Sequence, residues 1–300
     1  MSRGAAGNVR DNTVSDNWYD PCGDYLTCYN AAGILVFETS GVIVRGNHLS
    51  GNQAGVNLFG ASFVNLLSNV LVGSAWGVIV DSSSDVLVQA NTIGSPEVRS
   101  GAVQIIGIWA LASDAVDIVG NSIDFGGAVS PVESLYGVAF DDSSGTISGN
   151  SILNVRMAAA YFGLQTGIGV IATGTGDVDI VSNEIRGYQK GGIVAGRVSV
   201  PLVGVVNILD NTVVGVGRTP LIAQNGIQVS GREASGVVRG NHIEGNFYTG
   251  CSHQDAAKTG CIPWEATGLL LWDVFHGTLL KTSDNHYVDN QRNFYVLQAH

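Results

Sequence analysis

The sequence predicts an all-β fold, a parallel β-helix of about ten stacked coils, and three observations predict it. Glycine makes up 41 of the 300 residues and charged residues only 13%, the apolar residues are mainly Val, Ile and Leu, and one short pattern recurs along the chain. Branched apolar residues favour pleated, buried strands, and a uniform texture without a linker argues for one elongated unit over residues 1–300.

The recurring pattern is two branched apolar residues, a small residue, Asn, any residue and another apolar one. It is centred on Asn12, Asn47, Asn69, Asn91, Asn121, Asn150, Asn183, Asn211 and Asn241, with a degraded copy at Asn285. Between copies lies a glycine followed by an alternating strand, as in Gly33-Ile34-Leu35-Val36-Phe37, Gly55-Val56-Asn57-Leu58-Phe59, Gly77-Val78-Ile79-Val80 and Gly137-Val138-Ala139-Phe140. Later copies start at Gly167, Gly192, Gly226 and Gly268, so each coil shows two recognisable strands. Spacings from 22 residues (Asn47 to Asn69) to 44 (Asn241 to Asn285) are what stacked turns produce, because strands keep register while corners lengthen. At strand spacing, about ten coils give a rod on the order of 45 to 50 Å long.

The repeated Asn has a structural role to fill first. An inward amide at a corner can donate to and accept from the Asn above and below it, and Asn tolerates left-handed backbone geometry. The glycine before the second strand reads as a corner residue. None of these residues is therefore a candidate for chemistry.

Together the Asn motif and the glycine-apolar strand resemble the repeats of the pectin-lyase-like superfamily, over nearly the whole chain. The resemblance implies a right-handed parallel β-helix, a single-stranded solenoid with an elongated groove along one side. It does not choose among the lyases, hydrolases, epimerases, tailspikes and non-catalytic proteins built on that scaffold.

Composition narrows the partners. A net charge of −11 with no cluster of Lys and Arg argues against nucleic acid, and no apolar run is long enough for a membrane span. The amino terminus lacks the apolar stretch of a secretory signal, and the first motif begins so early that an amino-terminal cap is expected to be missing. Four cysteines fall in two close pairs, Cys22 with Cys28 and Cys251 with Cys261. Four cysteines allow three connectivities; local pairing staples two loops and suits a secreted or cell-surface protein, and metal binding is the weaker alternative.

Long connections run from the Asn strand to the Gly strand at 15–32, 94–100, 124–136, 153–166, 214–225 and 244–266, so they rise on one side and wall a groove. They carry Trp18, Tyr161, Tyr248, His253, Trp264 and Glu265, a mixture of aromatics, amides and charges that suits a polysaccharide. Packing of these aromatics onto the rod is the competing reading.

Two chemistries are open. Asp81 and Asp141 end equivalent Gly strands, two coils apart, with Asp142 beside the second, and paired carboxylates serve glycoside hydrolysis. Asp141-Asp142 superficially resembles the double aspartate of polygalacturonase-type hydrolases, but the Asn-Thr-Asp, Gly-His-Gly and Arg-Ile-Lys motifs are missing, which puts that assignment in doubt. Lyase or epimerase chemistry on an acidic glycan would need a cation and a base, for which Arg156, Arg186, Tyr188 and Lys190 are grouped on successive corners. Here too the family motifs fail at Arg218-Thr219-Pro220 and Tyr19-Asp20-Pro21. No cofactor is implied firmly. Calcium is the one ion considered, at the outward Asp117 and Asp179, which lie too far apart for one site unaided.

Finally, alternation turns Leu35, Phe37, Phe59, Ile79, Val103, Ile105, Val194, Leu270 and Trp272 outward in one apolar stripe. Such a stripe needs covering, either by a homo-oligomer, a trimer as in tailspikes, or by the chain's own insertions. The leading expectation is an extracellular polysaccharide-active enzyme, a lyase or hydrolase of an acidic glycan. The alternative is a non-catalytic glycan-binding or structural β-helix, such as an adhesin or tailspike-like module.

Overall fold

A computed structural model describes residues 6–19, 24–27, 30–99, 103–275 and 277–298. They form a parallel β-helix of ten coils, each with three strands rather than the two visible in the sequence. The first face runs from Gly7–Arg10 to Leu280–Ser283, the second from Thr13–Ser15 to His286–Val288 and the third from Ala32–Phe37 to Arg292–Leu297. The extra strand is hidden inside the Asn motif: in Val44 to Leu49 the chain turns a corner, so that Val42–Arg45 lies on the first face and His48–Ser50 on the second. First and third faces join into one sheet where Gly174 and Thr175 pair with Leu202 and Val203.

The Asn ladder is continuous. From Asn12 through Asn285, each Nδ2 donates to Oδ1 of the next Asn at 2.9–3.0 Å, and the backbone N–H donates to the same oxygen. The second amide hydrogen reaches a carbonyl of an adjacent coil, as from Asn69 to Val44. Buried polar groups must be paired, and this arrangement pairs them all along one edge of the core. The left-handed position is not the Asn itself, as its tolerance had suggested, but the small residue before it: Asp11, Gly46, Ser68, Ala90, Gly120, Gly149, Ser182, Asp210, Gly240 and Asp284 have φ between 52 and 70°. A bulky residue there would strain the corner, which explains the small residue in the motif.

A second corner has its own ladder, in which backbone N–H groups of Ala61, Ser83 and Ser113 donate to the hydroxyls of Ser83, Ser113 and Ser143, each at 3.0 Å. Gly167, with φ 85° just before its strand, is a corner residue as expected, and Gly169 takes the column position in that coil. The other glycines of the third face lie within or at the start of the strands and stack coil upon coil; a Cβ at Gly77 or Gly107 would lie 2.4 or 2.5 Å from the carbonyl oxygen of the next glycine. Close approach, not turning, requires them.

This column also corrects the apolar stripe. The glycine of the fourth coil is Gly107, so Trp109 is the outward residue in register with Ile79, while Ile105 is buried and Val103 precedes the strand. Ile79, Val194 and Leu270 are buried as well, and only Leu35, Phe37 and Phe59 among the described members of the stripe are exposed. The chain's own insertions lie over the middle of the face.

Of the cysteines, Cys251 and Cys261 form a disulfide that closes the long insertion of the ninth coil. Cys22 and Cys28 lie outside the described residues. No helix among the described residues is long and apolar enough to cross a membrane.

Candidate functional site

The third face is where outward side chains and insertions meet. Along one row stand Ile79, Trp109, Ala139, Ile171 and Val194 in register, and two residues further along each strand stand Asp81, Leu111, Asp141 and Thr173. Alternation places both rows on the outer side of the sheet. Asp81 and Asp141 are thus in one row with Leu111 between them, about 9.5 Å apart at the backbone.

Two insertions from opposite edges cross this face. From the second-to-third corner of the first coil, Tyr25 reaches over the sheet, its ring edge-on to Trp76 and Trp109 at 5.8 and 5.6 Å. Its hydroxyl donates to Asp81 Oδ2 at 2.9 Å, and Ser82 Oγ donates to Oδ1. Burial, and then the adjacent Asp81 charge, push the Tyr25 hydroxyl pKa upward, so it stays protonated as a donor. From the other edge, Arg197 places its guanidinium 5.2 Å from the Tyr136 ring centre, and Ser199 and Val200 extend that wall.

Three hollows result, spread along the rod. Between the walls is a cavity of about 210 Å³ floored by Trp109, Ala139, Asp141 and Thr173. On the amino-terminal side of Tyr25 is one of about 480 Å³ holding the stacked rings of Phe37 and Phe59 together with Asp81. Beyond the Arg197 wall a third, of about 290 Å³, is lined by Arg232, Glu233, Trp272 and Asp273. From the first coil to the ninth the series spans about 38 Å.

In the central hollow the Asp141 carboxyl is held above its ordinary pKa by burial, with the Asp142 charge adding to the effect and the Thr173 hydroxyl, donating at 3.2 Å, opposing it. Asp142 does not share the site. Its φ is 46° and its carboxylate caps the backbone and hydroxyl of Thr175, as a turn residue does.

The basic cluster expected on the corners is not assembled. Tyr188 is fully buried, its hydroxyl donating to Asn246, and burial drives its pKa up, so it is unavailable as a surface base. Arg186 pairs with Glu184 at 2.6 Å, and Arg156 packs over Gly127. Lys190 alone faces a hollow, donating to the Ala223 carbonyl at 2.8 Å, with its pKa pulled down to about 8 by burial.

The expected aromatic contacts divide similarly. Trp18 lies under the Arg99 guanidinium and against the core, as the competing packing reading had it. Tyr161 is exposed, with its carbonyl accepting from Gln189. His253 and Arg292 both reach Glu265, at 3.6 and 3.1 Å. Tyr248 and Trp264 come together beside Lys190. Asp117 and Asp179 are two coils apart through Thr146, and no cluster of three or more metal-ligating side chains exists among the described residues.

Sequence reading missed Tyr25, Trp109 and Arg197. Trp109 was recoverable by aligning Gly107 with Gly77 and Gly137. Tyr25 and Arg197 sit in insertions with no periodic signal.

The sequence matches the family described as right handed beta helix region over residues 1–123 and 76–262. A search of curated proteins gives no match. Among solved structures the fold is similar to the tailspike protein of E. coli bacteriophage HK620, solved in complex with a pentasaccharide, at 11% identity and TM-score 0.55 over 86% of this chain and 45% of the tailspike. The chain therefore spans less than half of that protein. It is also similar to the periplasmic alginate epimerase AlgG, at 12% identity and TM-score 0.45 over 89% and 70% of the two chains. PfbA, a surface adhesin of Streptococcus pneumoniae, gives 12% identity and TM-score 0.44 over 98% and 72%.

Proposed function

The chain belongs to the right-handed β-helix family, and we propose that its third outward face binds an extended glycan and hydrolyses it between Asp81 and Asp141. The observation that carries the reading is the common outward row of these two carboxylates, with Asp141 beside the Trp109 floor and Asp81 under the Tyr25 wall. Inverting glycoside hydrolysis needs two carboxyl groups roughly 6.5 to 9.5 Å apart, one to protonate the leaving oxygen and one to activate water. A backbone separation of two coils suits that window better than the closer approach of a retaining pair. Asp141, kept protonated to higher pH by burial, takes the role of acid, and Asp81, held by Tyr25 and Ser82, that of base.

The charges of the face favour a neutral substrate over the acidic glycan expected from sequence. Asp81, Asp141, Glu233 and Asp273 line the hollows against Arg197 and Arg232, on a chain of net charge −11. Lyase chemistry loses its support with the burial of Tyr188 and the scattering of Arg156 and Arg186. A location outside the cytoplasm fits the Cys251–Cys261 disulfide.

One observation favours non-catalytic glycan binding instead: Tyr25 covers Asp81, so the two carboxylates line different hollows. A screen of neutral and acidic polysaccharides, reading reducing ends and unsaturated product, separates the two. Reducing ends from a neutral glycan support hydrolysis. Retention on a glycan column without product supports binding alone, and unsaturated product contradicts both.

A further inference from the structure

On the corner between the second and third faces, away from the groove, the connections of the sixth, seventh, eighth and ninth coils enclose a hollow of about 240 Å³. Gly163, Gln165, Leu221, Ile222, Ala223, Tyr248 and Trp264 surround Lys190 there, and none of these residues lines the hollows of the third face. We propose that this hollow is a second binding site, which takes the carboxylate of a single acidic sugar ring on Lys190.

An ammonium carries three donors, and Lys190 uses one on the Ala223 carbonyl. No carboxylate among the described residues pairs with it, and the rest of the lining is uncharged. A largely buried cation without a counter-ion is costly, and a ligand anion relieves that cost. One cation with no arginine fork and no cradle of backbone N–H groups suits a monoanionic carboxylate rather than a phosphate, which is ordinarily held by several donors. Tyr248 and Trp264, the latter 59% exposed, offer faces for the apolar side of a ring. Gln165 offers an amide engaged only at 3.4 Å with the Gly163 carbonyl. The volume falls below the roughly 300 Å³ at which drug-sized ligand sites begin, so it holds one ring rather than a chain.

Lys190 as the hollow's one cation cannot both neutralise a uronate and remove its proton, so the site is one of recognition rather than catalysis. Burial lowers the Lys190 pKa to about 8 and a bound carboxylate raises it again, so affinity is complete below that value and falls as pH rises through it. The other titratable groups nearby are Tyr248, which lines the hollow, Tyr188 behind it, which burial pushes upward, and Glu265 beside Trp264, which is engaged by Arg292 and His253.

The test is calorimetric titration of the intact chain with glucuronate and with glucose. Glucuronate is expected to bind about tenfold or more tightly than glucose at about pH 6, and to weaken by about tenfold at about pH 9. Lys190→Met is expected to remove the preference. Trp264→Ala, at an exposed position, is expected to weaken glucuronate as well. Equal binding of the two sugars, glucuronate affinity indifferent to pH, or affinity unchanged in Lys190→Met would each overturn the site. Because no residue of the groove takes part, these outcomes are independent of whether Asp81 and Asp141 cleave a glycan.

Discussion

Tyr25 and Asp81, 56 residues apart in sequence, are joined by a hydrogen bond of 2.9 Å that ties the first insertion to the end of a third-face strand two coils away. Hydrogen bonds to charged groups contribute about 1.5 to 3 kcal/mol. Tyr25→Phe keeps the ring against Trp76 and Trp109 but deletes the bond. We expect the urea midpoint to fall by an amount equivalent to about 1 to 3 kcal/mol, and protease cleavage within 24–27 to accelerate.

The Asn ladder makes position, not residue type, decide the cost of a deletion. Asn121→Ala leaves the Asn91 amide and backbone N–H without their acceptor and removes the Nδ2 donor to Asn150, whose other donor, the backbone N–H of residue 121, remains. We expect a loss of about 2 to 4 kcal/mol by chemical denaturation. Asn12→Ala, at the first rung among the described residues, removes only the Nδ2 donor to Asn47, keeps the backbone one and lies in a more exposed setting, and its expected cost is less than half as large.

Glycines divide by mechanism. Alanine at Gly107 would place Cβ 2.5 Å from the Gly137 carbonyl oxygen, so Gly107→Ala is expected to cost at least about 3 kcal/mol or prevent folding. At Gly120, φ is 61° but nothing lies within 4 Å of the added atom, and Gly120→Ala is expected to cost only the left-handed strain of about 1 to 2 kcal/mol. Equal effects in denaturation curves would contradict this division.

These ladders also show what was legible in the sequence. Stacking forces every coil to solve the same corner with the same residues, so the Asn motif and the glycine column repeat and can be read. The third strand of each coil escaped because the Asn corner lies inside the motif. The groove escaped for a different reason: Tyr25 and Arg197 occupy single insertions, and only the third dimension brings them over Trp109 and Tyr136. Tyr188 shows the converse, since it turns into the core while its neighbour Arg186 stays exposed and Lys190 lines a hollow.

Asp141 carries a pH signature. Burial raises its folded pKa above the ordinary carboxylate value of 3.8, so ionisation opposes folding and its penalty appears as pH rises through that range. Asp141→Asn is expected to raise the thermal midpoint at neutral pH and to leave it unchanged at pH below the ordinary carboxylate value. Thermal melts across that range check the sign, and a variant destabilised at neutral pH would contradict the burial.

The central claim is that the third outward face is the glycan site. A crystal structure of the Asp141→Asn variant soaked with an oligosaccharide of a substrate identified by the reducing-end screen tests it most directly. We expect sugar rings along the face, one stacked on Trp109 with its glycosidic oxygen within hydrogen-bond reach of residue 141. Sugar density elsewhere on the rod, with the hollow between Leu26 and Val200 empty, would contradict the account.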